Sequence, residues 1–152
     1  MNKHKLFIDY FNRNFLCDNN PRMTDCHVFM ISVCVDILLN SRAFKNHVQD
    51  IDKSISVVAV PNLKIDNTLP DIYTPFFDVE CETGFKHDLK TLKKRILKSS
   101  KTVIVVLPNV EVENRYLREL IDLKKQKLKI CSMAEFSNTV YDVLRSIDRK
   151  KE

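Results

Sequence analysis

The segment FFDVECE (76–82) repeats an acidic residue at every second position, Asp78, Glu80 and Glu82. Side chains alternate along a strand, so these three carboxylates share one face while Phe77, Val79 and Cys81 share the other. Like charges at that spacing repel one another, and acidic residues are poor strand formers. Folding alone gives little reason for the pattern, whereas a compensating cation does. Carboxylate oxygens suit hard ions such as Mg²⁺ or Mn²⁺, which usually bind one or two carboxylates, water and a substrate phosphate. The plainer alternative is an edge strand whose acidic face sees water.

Two neighbouring features bear on that choice. Gly84 is the only glycine of the chain and stands just beyond the acids, where a residue without Cβ allows φ > 0 or close approach of a ligand. A single glycine also excludes a Walker loop and a dinucleotide-binding fingerprint. From residue 86 to 101 the sequence then carries Lys86, Lys90, Lys93, Lys94, Arg95, Lys98 and Lys101 against one acid, Asp88. Phosphodiester hydrolysis needs this juxtaposition: cations position the backbone, and carboxylates hold the metal that polarises phosphate and activates water. Lys90, Lys93, Lys94, Lys98 and Lys101 are therefore the expected nucleic-acid contacts. A solvated helix face is the alternative for such a helix taken alone.

The elements that would position these residues follow from periodicity. Leu6, Phe7, Tyr10, Phe11 and Phe15 predict an amphipathic helix over 4–16. Thr24 or Asp25 caps a second helix to about Phe44, apolar over so much of its circumference that it must be buried in the core or against a second subunit. SISVVAV (54–60) reads as a buried strand, PDIYT (70–74) as a short strand and FFDVECE as a third. Gly84 opens a helix with an apolar stripe of Leu89, Leu92 and Ile96, followed by the apolar strand TVIVVL (102–107). Strand, helix and apolar strand in that order predict a right-handed parallel crossover. A helix over 111–127, a short edge strand LKICS (128–132) and a closing helix over 134–149 complete the order ααβββαβαβα.

With 152 residues, 44% hydrophobic and 30% charged, the chain is sized for one α/β domain over 1–152. The longest apolar run, Val28 to Leu39, is interrupted by Ser32 and Asp36 and is too short to span a bilayer. Five cysteines without a CxxC pair or secretory leader suit a reducing cytoplasm. Cys26, His27 and Cys34 do not match ordinary zinc spacing, and packing is the favoured reading of the cysteines. His27 and His4 are read as surface residues. The net charge of +5 suggests an anionic partner.

On the residues PDIYTPFFDVECETGFK (70–86), the chain resembles the PD-(D/E)XK nuclease superfamily, the restriction-endonuclease-like fold. The likeness covers roughly residues 24–108. It implies an αβββαβ core with an extra N-terminal helix and a C-terminal αβα extension. It also implies that Asp71 and Glu80 are catalytic carboxylates binding Mg²⁺ (or Mn²⁺), with Asp78 as a further metal ligand. Position 82, where the family's lysine normally stands, is Glu82; either Glu82 orients the attacking water, or Lys86 or Lys90 reaches back to do so. The implied activity is metal-dependent hydrolysis of DNA, before RNA, by an endonuclease or exonuclease, resolvase-like in one version, and a small Lys- and Ile-rich nuclease-like chain looks like a protein of a virus, plasmid or other mobile element. A homodimer formed through the apolar second helix and located in the cytoplasm, or host cytoplasm, is the expected form. Two alternatives stand beside it: a catalytically silent nucleic-acid-binding module, motivated by Glu82, and a structural protein whose acids are a solvated edge.

Overall fold

TVIVVL (102–107) carries nothing polar enough to need water, and the strand it forms is covered on both faces. This strand, β4 (Thr102–Leu107), runs parallel to β3 (Phe77–Cys81) on one side and to β5 (Leu128–Ser132) on the other. Residues 103–107 are all buried. Beyond β3 the sheet turns antiparallel through β2 (Ile72–Tyr73) to β1 (Ser56–Val57), giving the order β1-β2-β3-β4-β5. The protein is thus α/β with a five-stranded mixed sheet, described by a computed structural model over residues 25–57, 70–83, 89–123 and 127–151. The expected helix over 4–16, the last part of the strand expected over 54–60, the turn at Gly84 and Lys86 lie outside the described residues; the described part of that strand, β1, ends the sheet order with Ser56 exposed, and so is not the buried strand expected.

Helices cover both faces. On one side α1 (Asp25–Asn40), α2 (Arg42–His47) and a C-terminal helix, Phe136–Lys150, pack against Phe77, Val79, Cys81, Ile104 and Val106. On the other, α3 (Leu89–Lys98) and α4 (Val110–Glu119) pack against Val103, Val105 and Leu107. The closing helix is α5. The stripe of α3 is as periodicity predicts: Leu92 and Ile96 are buried and Leu89 is partly so.

Three helix boundaries differ from those predicted. The helix expected over 24–44 breaks at Ser41, whose extended backbone and hydroxyl, accepting from the Phe44 N–H at 3.1 Å, start α2 as a new helix. The helix expected over 111–127 begins at an Asn109 cap that accepts from the Val112 N–H at 3.0 Å, and it stops at Glu119. The closing helix follows a 3₁₀ turn, Met133–Glu135, instead of starting at Ala134. In each case a local polar cap or turn outweighed the apolar period.

The dimer expected through the second helix is not needed to bury it. Val28, Met30, Ile31, Cys34, Val35 and Leu38 lie in the chain's own core, leaving Phe29 exposed. Among the described residues no helix is long and apolar enough to cross a membrane.

Candidate functional site

A tight turn brings the acids together. Thr74 accepts at its hydroxyl from the N–H groups of Phe76 and Phe77, at 3.2 and 3.0 Å, and donates to the Phe77 carbonyl at 2.8 Å. This locks β2 and β3 in a register that pairs Ile72 with Val79. Asp71, one residue outside that pair, is thereby set beside Glu80. Its Oδ2 accepts the Cys81 backbone N–H at 2.8 Å.

The acidic strand is not a solvated edge. β3 lies inside the sheet, and Asp78 and Glu80 are 7% and 1% exposed. Register places Asp78 beside Val103 and Glu80 beside Val105, on the face covered by α3. From α3, Arg95 Nε donates to Glu80 Oε1 at 3.0 Å, and its Nη2 lies 3.7 Å from Glu82 Oε1. Glu80 Oε2 is buried without a hydrogen-bond partner among the described residues.

The electrostatics follow from this crowding. Burial, then the Asp71 charge, pushes the Glu80 carboxyl up to about 9 despite Arg95, with Glu82 adding to the rise. Burial and Asp71 push Glu82 to about 7, against the opposing Arg95 and His27. Three carboxylates thus share too little positive charge. Asp71 and Glu80, with Glu82, are the oxygen donors that could hold a hard divalent ion. Among the described residues no three His, Cys, Asp or Glu side chains are already set as a metal cage. Mg²⁺ does not require one, since one or two carboxylates, water and a substrate phosphate complete its shell.

Asp78 is engaged elsewhere. Its Oδ2 accepts from the Ser99 hydroxyl at 2.6 Å, and Lys101 Nζ lies 3.6 Å from Oδ1. Lys101 also donates to the Thr74 carbonyl at 2.9 Å and sits over the Tyr73 ring, so the fold itself occupies this expected phosphate contact. Lys93 bridges to Asp122 at 3.3 Å. Lys90, Lys94 and Lys98 are exposed, and Lys98 lines a cleft of about 320 Å³ that Asp78, Glu80, Arg95 and Ser99 also border.

Two site residues have no signal in the local spacing. His27, expected at the surface, is half-buried with Nε2 3.2 Å from Asp71 Oδ2. Burial disfavours its charged form, but the hydrogen bond to Asp71 and the charges of Asp71 and Glu82 outweigh burial and raise its pKa. Arg95 is one cation among seven in its segment until α3 aims it at Glu80. Cys34, by contrast, is a buried packing residue with its Sγ 3.9 Å from Cys81 Sγ. No family model, curated protein or solved structure matches this chain.

Proposed function

We propose that the protein is a metal-dependent nuclease hydrolysing DNA phosphodiester bonds on a restriction-endonuclease-like core. The observation that carries this reading is that half-buried Asp71, just before β2, stands beside buried Glu80 of the neighbouring antiparallel strand β3, with Glu80 Oε2 left without a hydrogen-bond partner among the described residues. A buried acceptor of that kind is costly unless something fills it. The order of helix, three strands, helix and strand within Asp25–Leu107, apart from the short α2, agrees with the core that the sequence resembles.

Asp71 and Glu80 are the residues that would hold Mg²⁺ or Mn²⁺. The ion, when bound, supplies charge to polarise the phosphate and acidify water. The Cys81 N–H and His27 orient the Asp71 carboxylate, and Arg95 orients Glu80. Glu82, with a pKa of about 7, is poised to take the proton of the attacking water near neutral pH. It thereby fills the orienting role at the position where the resembled family carries lysine. Lys98, which lines the cleft, and the exposed Lys90 and Lys94 of the same helix supply the phosphate contacts.

The same Arg95–Glu80 pair favours a second reading, a nucleic-acid-binding protein in which the guanidinium has replaced the metal. Incubation with supercoiled, linear and branched DNA in Mg²⁺, Mn²⁺ or EDTA separates the two. Cleavage that needs metal and falls at least ~100-fold in Asp71→Ala and Glu80→Ala supports the nuclease. Salt-sensitive binding without cleavage supports the second reading.

A further inference from the structure

A second cleft, of about 450 Å³, opens where β4 and β5 begin, on the side of the sheet covered by α5. Lys101, Lys127, Lys129, Lys150 and Lys151 line it, and among the described residues no carboxylate does. Its walls also include Phe76, Val143 and Ile147, so it combines an apolar floor with a cationic rim. Lys127, Lys129, Lys150 and Lys151 are exposed, and none forms an ion pair with a described residue.

Lysines on an edge strand protect against strand-to-strand association, which accounts for Lys129 on β5 and Lys127 just before it. It does not account for Lys150 on α5 and Lys151 just after it converging on the same space. Four exposed ammonium groups, those of Lys127, Lys129, Lys150 and Lys151, repel each other around one concavity and focus a positive potential into it, while that of Lys101 is held by Asp78 and the Thr74 carbonyl. The occupant they fit is a chain of phosphates, contacted as point charges and not read as sequence. The cleft also adjoins the carboxylate cleft: Lys98 and Ser99 border one, and the next residues, Ser100, Lys101 and Thr102, border the other. The turn from α3 to β4 is their common wall.

We infer that this lysine cleft binds the phosphate backbone of a nucleic-acid strand leading away from the carboxylate site, an inference that rests on the nuclease reading for its direction. Binding of fluorescein-labelled single-stranded and duplex 20-mers, followed by anisotropy in EDTA across a salt series, tests it. Lys129→Glu/Lys150→Glu weakens binding at least ~10-fold and makes the dependence of log affinity on log salt shallower by about 1.4 on the single strand and about 1.8 on the duplex, two phosphate contacts' worth. Arg145→Glu/Arg149→Glu makes the same charge change on exposed positions of α5 that do not line the cleft, and leaves affinity within ~2-fold. In addition, bound DNA protects Lys127, Lys129, Lys150 and Lys151 from acetylation.

Equal losses in the two double variants, wild-type affinity in the cleft variant, or binding of phosphatidylserine vesicles but not of DNA each overturns the inference. The two readings fail separately. Metal-dependent cleavage together with unaltered binding by the cleft variant removes the cleft and keeps the nuclease. A binding defect in the cleft variant of a protein that never cleaves removes the nuclease and keeps the cleft.

Discussion

The two faces of β3 are equally dry and are held by opposite physics. Phe77, Val79 and Cys81 enter the apolar cluster under α1, α2 and α5, where each large side chain removed from water contributes about 1.5–3 kcal/mol. Asp78 and Glu80 enter the space under α3, where removing a charge from water costs free energy; Ser99 and Lys101 meet Asp78, and at Glu80 the Arg95 contact offsets that cost only in part. One strand therefore shows that burial and stabilisation are different things. A fold that accepts such a cost on one face of a central strand marks that face as the place where chemistry is expected.

The comparison breaks most visibly on the apolar side. Phe77→Ala should lower stability by about 3–5 kcal/mol in urea unfolding, since a fully buried ring leaves a cavity between α2 and the sheet. A loss below about 1 kcal/mol would mean that this face is not the one that holds the sheet.

Next in size is Arg95→Ala, which leaves Glu80 buried without its counter-charge. It should cost about 1–2 kcal/mol at pH 5, where Glu80 is protonated, and only about 0.5 kcal/mol more at pH 9, because Glu80 without Arg95 keeps its proton. Equal losses at both values would show that Arg95 contributes by packing and not by charge.

The acidic face itself makes stability depend on pH. Glu80 and Glu82 bind their protons more tightly folded than unfolded, so their contribution is fully present below the unfolded value of 4.5. It is lost as pH rises through about 7 for Glu82 and about 9 for Glu80. His27, also raised, acts in the same direction. The Tm of the metal-free protein should fall by about 4 °C or more between pH 5 and pH 9, and Glu80→Gln/Glu82→Gln should flatten most of that slope. Millimolar Mg²⁺ at pH 8 should raise the Tm of the wild-type protein and not of the double variant. No effect on either would favour Arg95 as the sole cation of the site.

The smallest effect belongs to the surface. Lys93→Ala removes an exposed pair with Asp122 and should change stability by no more than about 0.5 kcal/mol. A change above about 1 kcal/mol would make the contact between α3 and the turn after α4 part of what holds the core.

Much of this arrangement was legible in one dimension. Alternation in FFDVECE separated the two faces of β3, and the stripe of Leu92 and Ile96 set the inner side of α3. The apolar run 102–107 and the helix before it predicted the parallel pairing of β3 and β4. Those signals are local, because the periods of strand and helix are short-range properties of the backbone. The break at Ser41 and the stop at Glu119 were not legible, since an apolar period carries no information about which polar group captures the chain end.

By itself, then, the sequence determined the order of the described strands and of the helices between them, and which residues of each share a side, since side-chain direction follows from the repeat of the backbone. Only the tertiary structure decided that His27 meets Asp71 across 44 positions, that Arg95 is the cation aimed at Glu80, and that Asp78 is bound to Ser99 and Lys101. Such partners are chosen by where separate elements dock, and charge at the distance of a hydrogen bond depends on that docking and not on spacing along the chain.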